Sequence, residues 1–300
     1  MGRSALCAGR TDAIGVRSPD AAVARGSMVR PTHSMNLSSV RVRIATVIAL
    51  AVFGAVYLAL HAPIPQSPEY HRFADDRTFF GAPRALDVLS NLPFLVVGAL
   101  GLWRTSRWSA RLLDPRERYA WLGFFAGVLL TAFGSGYYHL APANGPLVWD
   151  RLPMTIGFMS LFAAQLGERI DPRIARGGLV PLLLCGFASV IYWDVTEAAG
   201  RGDLRPYYFV QGFPIAALLV MLLARFPARY DGSRWLWGTI GFYVLAKVLE
   251  ANDWPIFEWS HHVVSGHTVK HLAAAAATAM IYPMLMRRRA LAAAEPSPVA

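Results

Sequence analysis

Ala120-Trp-Leu-Gly-Phe-Phe-Ala-Gly-Val-Leu-Leu-Thr-Ala-Phe-Gly-Ser-Gly-Tyr-Tyr-His139 carries no charged side chain before its closing histidine. As a helix rising about 1.5 Å per residue it spans roughly 30 Å, the thickness of a bilayer's hydrocarbon core. Arg116 and Arg118 bound it on one side. The turn-forming stretch Ala-Pro-Ala-Asn-Gly-Pro (141–146) bounds it on the other. A run of this length and polarity has lipid as its solvent, which makes the fold all-α.

The rest of the chain repeats the pattern. Of its 300 residues 55% are hydrophobic and only 16% charged, with a mean hydropathy of +0.36, too apolar for an ordinary soluble domain of this size. Ile44 to Leu60 forms a first apolar run, and seven further runs cover approximately 86–103, 120–139, 150–168, 178–193, 207–224, 235–250 and 267–286. The expected organisation is a disordered basic tail over 1–42, eight candidate spans, the first within 43–62 and the other seven within 63–286, and a short tail over 287–300. Met28 and Met35 are alternative starts. A signal-peptide core is the competing reading of the first run, but His61-Ala62-Pro63 is a poor cleavage site and favours retention.

The formal net charge of +10 does not point to nucleic acid, because the arginines sit in short clusters between apolar runs and not along one amphipathic face. Loops 104–118, 169–176 and 225–234 and the run Arg287 to Arg289 are basic. Loops 140–149 and 251–266 lack Lys and Arg altogether. The positive-inside rule then puts both termini in the cytoplasm and the arginine-poor loops outside, which requires an even number of spans. The Arg- and Ala-rich composition suggests a bacterial inner membrane. Cys7 and Cys185 form no CxxC pair, so no disulfide framework or thiolate metal site is expected.

Ionisable groups inside spans are costly and need partners or a function. Ser135 and His139, four residues apart, stack on one helical face, as do His267 and His271 in Ser-Gly-His-Thr-Val-Lys-His (265–271). Asp150 opens the next span after a short loop. In the topology drawn from the arginines, His139, Asp150, His267 and His271 all fall near the outer face. Three imidazoles with an open position are the ligand set of a hydrolytic zinc site. Asp150 would orient or deprotonate water, and Ser135 would hydrogen-bond the ligands or a developing oxyanion. A lone membrane histidine is more often an interhelical hydrogen-bonding partner, and HxxxH alone is weak evidence; the joint pattern favours metal.

Other groups are ambiguous. His261 and His262 are read as loop residues without a site role, and Tyr137 and Tyr138 as interfacial aromatics. Asp75, Asp76 and Asp87, with Ser90 and Asn91, offer oxygen ligands for calcium, although capping and surface ion pairs explain the same residues. Asp194 and Glu197, and Lys247, Glu250 and Asp253, either pair structurally or line a polar entrance.

The segment Asp87-Val-Leu-Ser-Asn-Leu-Pro-Phe94, the Ser135 and His139 pair, Asp150, and Ser265 to His271, taken in order, resemble the alkaline ceramidase family of membrane hydrolases, itself distantly similar to adiponectin-type receptors. The likeness runs from about residue 69 to 286. It implies a seven-helix ceramidase-like core with zinc held by His139, His267 and His271, accompanied by Ser135 and Asp150, and cleavage of a ceramide amide to a sphingoid base and a fatty acid. That family's acidic, tryptophan-containing calcium segment is replaced here by Tyr70-His-Arg-Phe-Ala-Asp-Asp-Arg77.

The expected function is therefore a zinc-dependent lipid amidohydrolase whose partners are a ceramide-like lipid and the bilayer, with no nucleic acid and no obligate protein partner. A ligand-responsive receptor or scaffold with structural zinc is the alternative. Bis-histidine haem ligation is a third reading, which would not call for Asp150 and Ser135 at the same depth.

Overall fold

The computed structural model describes residues 37–107 and 112–291, so Cys7, Met28, Met35, most of the expected basic tail and the last nine residues lie outside it. Among the described residues the chain is helical and forms no strands, an all-α bundle. Its helices are α1 (Leu37–Ala59), α2 (Ala85–Leu89), α3 (Leu92–Ser106), α4 (Arg118–Leu140), α5 (Asn144–Arg169), α6 (Pro172–Ala198), α7 (Arg205–Leu223), α8 (Ser233–Ala251), α9 (Asp253–Trp259), α10 (Gly266–Ala279) and α11 (Ile281–Arg287).

Local chemistry sets the boundaries. Asp171 caps α6 by accepting the Arg173 N–H at 2.7 Å, and Pro172 fills the first helical position, where its missing N–H costs nothing. Three breaks share one cause. A proline inside a helix clashes with the carbonyl four residues earlier and offers it no N–H. Pro93, Pro255 and Pro283 stand four residues after Leu89, Ala251 and Ala279, the last residues of α2, α8 and α10. The pairs α2 and α3, α8 and α9, and α10 and α11 are thus jointed rods.

Six helical segments are long and apolar enough to cross a membrane: Ser39–Ala59, Ala85–Ser106, Pro115–Leu140, Pro172–Ala198, Arg205–Leu223 and Gly266–Arg287. The chain is accordingly an integral membrane protein. The other two expected spans, now α5 and α8, fall short of that apolarity. For α5 the reason is position: it packs between α4, α6 and α7, and its Arg151, Gln165, Glu168 and Arg169 are buried in protein, so its polarity faces the bundle. It also starts at Asn144, six residues before the expected span.

Helix α1 begins at Leu37 and ends at Ala59, earlier at both ends than the expected 43–62. Only 6% of its apolar window is buried, and it packs on α7 at the edge of the bundle. Arginines tie it down at both ends: Arg43 donates to the Arg169 carbonyl at 2.5 Å, and Arg205 to that of His61 at 2.5 Å. The main core, with Trp121, Phe124, Phe125, Leu236, Ile281 and Met284, fills the bundle toward the start of α4 and the end of α11. The histidines occupy the opposite end.

Candidate functional site

His139 is the penultimate residue of α4, and Arg84 caps that helix end by donating to the carbonyls of His139 at 2.6 Å and Leu140 at 2.9 Å. His267 and His271 lie one turn apart at the start of α10. Ser265 caps this helix by accepting the Thr268 N–H at 3.0 Å. Gly266 lets α10 begin where it does, since a β-carbon there would stand 2.5 Å from the Leu249 carbonyl oxygen and 2.8 Å from that of Asn252. Gly134 does the same between α4 and α5, because a β-carbon would collide with the Trp149 carbonyl.

The three imidazoles meet. Ring centroids are 4.9 Å apart for His139 and His267, 4.9 Å for His139 and His271, and 4.8 Å for His267 and His271. One nitrogen from each lies within 4.8 Å of the others, and all three residues are buried. Among the described residues this is the only group of three or more His, Cys, Asp or Glu side chains close enough to share an ion. The donor set suits zinc or a similar divalent cation. His139 Nδ1 is buried with no hydrogen-bond partner, an unmet need that a cation satisfies.

The surroundings orient the rings. The Ser90 hydroxyl lies 2.8 Å from His271 Nδ1 and 3.0 Å from the Asp87 carbonyl. With its one proton given to that carbonyl, Ser90 accepts from His271 Nδ1–H, which leaves Nε2 with the lone pair a metal needs. The Asp253 carboxylate accepts the His267 backbone N–H at 2.7 Å and that of Ala74 at 2.9 Å, tying α10 to the segment over the site. Phe73 on that segment sets its ring edge-on to His139 at 4.7 Å and to His267 at 4.5 Å.

Ser135 and Asp150 line one cavity of about 250 Å³ together with His271. The cavity runs between α4, α5, α7, α8 and α10 past Phe124, Val128, Met154, Phe158 and Ile215. Lys247, Glu250 and Lys270 line it too. Glu250 takes Lys247 at 2.5 Å and Lys270 at 3.2 Å, so these residues both pair and line the cavity. Asp253, grouped with them from the sequence, instead caps backbone.

Two expectations are corrected. Asp75, Asp76 and Asp87 form no calcium cluster: Asp75 is bound bidentately by Arg77 at 2.7 Å through both oxygens, Asp76 is exposed, and Asp87 accepts the Thr268 hydroxyl at 2.6 Å beneath α10. The neighbouring guanidinium, free to donate two parallel bonds, takes the place of a cation at Asp75. Tyr138 is not part of an exposed aromatic belt; it is 1% exposed, and its hydroxyl bonds His71 Nδ1 at 2.9 Å. The segment 62–85 packs over the site as a strap, with Gln66 on Arg151 at 2.6 Å, His71 on Asn144 at 2.9 Å and Arg77 on the Val263 carbonyl at 2.9 Å. His261 and His262 are exposed and outside the histidine cluster, as expected.

Sequence reasoning missed Phe73, Lys270 and the role of Ser90. The Phe73 contact closes a long loop, which leaves no periodic signal, whereas Lys270 stood in plain view between the two histidines of α10. In comparisons with known proteins, no family model and no curated sequence matches this chain.

Proposed function

We propose that this chain is a zinc-dependent integral-membrane amidohydrolase that splits ceramide-like N-acyl lipids into a sphingoid base, or related amine, and a fatty acid. One observation carries the reading: His271, from the buried trio, opens with Ser135 and Asp150 onto a single cavity whose remaining walls are largely apolar. Its ordered resemblance to the alkaline ceramidase family points the same way.

His139, His267 and His271 would hold the ion. Zinc bound by three imidazoles supplies Lewis acidity toward a carbonyl and makes water more acidic. The protein's own groups do the rest. Asp150 accepts a proton from the water that attacks the amide carbon and delivers it to the nitrogen as the C–N bond breaks. Ser135, which lines the same cavity, is available to hydrogen-bond that carboxylate or a developing oxyanion. The apolar walls take an acyl chain, each buried methylene contributing about 0.8 kcal/mol. Phe73 and the strap keep bulk water from the imidazoles, which strengthens every electrostatic interaction there.

With the basic loops at the end of the bundle away from the histidines, the positive-inside rule supports a cytoplasmic location for that end, and the proposed site would then face the outer side of a bacterial inner membrane. Metal analysis of purified protein, combined with fatty-acid release from a panel of N-acyl lipids, tests the proposal. Native protein releases fatty acid, Asp150→Asn keeps the metal and loses turnover by about 10²-fold or more, and His267→Ala loses both. Zinc retained without release from any lipid overturns the hydrolase and leaves a receptor or scaffold with structural zinc.

A further inference from the structure

Lys270 lies between the two histidines of α10, and its Nζ sits 3.1 Å from His267 Nε2 and 3.2 Å from Glu250 Oε1. Its side chain is 19% exposed and lines the cavity beside His271. A neutral imidazole has one N–H and one lone pair. An ammonium has only N–H groups, so its contact with Nε2 uses that lone pair. A metal ion needs a lone pair as well. If the ion binds Nε2, it competes for the same atom; if it binds Nδ1, the proton moves to Nε2, which then faces an ammonium donor to donor. Whichever nitrogen coordinates, Lys270 and a metal ion exclude each other on His267.

We propose that Lys270 is a positioning residue that latches the metal site, resting on His267 when the site is empty and carried over to Glu250 when it is filled. The inference rests on the reading of the histidines as metal ligands, and not on any hydrolytic activity. Glu250 is fitted to the second state. One of its oxygens already faces Lys270 while the other holds Lys247 at 2.5 Å, so the receiving carboxylate is anchored before the exchange. The ammonium keeps its charge throughout and need only release one of two partners. Filling the site also places a dication beside that ammonium, and their repulsion drives Lys270 the same way.

Zinc affinity, measured in detergent by competition with a chromophoric chelator, together with a structure of the zinc-loaded protein, tests this. Lys270→Met binds zinc at least ten-fold tighter than the native chain. Glu250→Gln, which keeps the lysine and weakens its second resting place, binds at least three-fold more weakly. In the zinc-loaded native structure Lys270 Nζ lies beyond hydrogen-bonding distance of His267 and stays paired with Glu250. Equal affinity for native and Lys270→Met protein overturns the latch while leaving the metal reading standing. So does a loaded structure with Nζ still on the His267 ring. Failure of both proteins to bind zinc overturns the latch and the metal site together.

Discussion

The Ser90 hydroxyl and His271 Nδ1 stand 2.8 Å apart although 181 positions separate them in the chain. This contact crosses from the joint between α2 and α3 to the second turn of α10, and it fixes which imidazole nitrogen is left for a ligand. Ser90→Ala removes it without touching the ligand set. Zinc affinity should fall by about 10- to 100-fold, the usual effect of removing such a partner, with helicity unchanged by circular dichroism. Undiminished affinity would show that the His271 ring is held by packing alone.

Gly266 makes the close approach at the start of α10, and Gly212 serves as its uncrowded control. Gly266→Ala forces a β-carbon onto two carbonyl oxygens and should cost about 1–3 kcal/mol, as overpacking does. Gly212 in α7 has open space around its missing β-carbon. Gly212→Ala should therefore stabilise the helix by up to about 1 kcal/mol. Thermal unfolding in detergent reads both, and a Gly266→Ala midpoint equal to the native one contradicts the packing argument.

The strap's end meets α7 at Asp203, just outside the membrane segment. Hydrogen bonds from the Arg205 guanidinium at 2.9 and 2.8 Å hold the Asp203 carboxyl below the usual carboxylate range. A carboxyl depressed in the folded state adds stability that is fully present above its unfolded value and is lost as pH falls through the folded one. Asp203→Asn should flatten the acid limb of the stability profile and leave the neutral region little changed apart from a constant offset. A native profile with the same acid slope as the variant removes the assignment.

Metal selectivity follows from the donor atoms. Zinc should raise the unfolding temperature, because a ligand that binds only the folded state stabilises it by about 2.7 kcal/mol at a hundred times its dissociation constant. Calcium at millimolar concentration should leave it unmoved, since Asp75 and Asp87 are committed to Arg77 and Thr268. A calcium shift that disappears in Asp87→Asn would reinstate the acidic cluster.

Much of the bundle is legible in the chain because lipid imposes a simple rule on length and polarity. The gathering of His139, His267 and His271 is legible for a different reason: helical spacing stacks each pair, and the arginine loops put both helix ends on one side. Helix α5 defeats the rule because it is shielded by protein, so Glu168 and Arg169 need not be apolar. Phe73 and Tyr138 are illegible because their surroundings come from a strap that folds back across the site, and no local periodicity records where an irregular loop lands. The choice between calcium and an ion pair at Asp75 stays open in the sequence because composition alone does not reveal that Arg77, two residues on, turns back onto the carboxylate.

Pro93, Pro255 and Pro283 put the bends of three rods into the covalent chain itself. The carbonyls of Leu89, Ala251 and Ala279 have no amide proton four residues ahead of them, whatever the rest of the protein does. Each rod therefore carries its joint in its own sequence. Docking α10 against α8 then selects an angle from a preset articulation instead of deforming a straight cylinder, and the imidazoles at its tip are delivered by assembly of prefabricated parts.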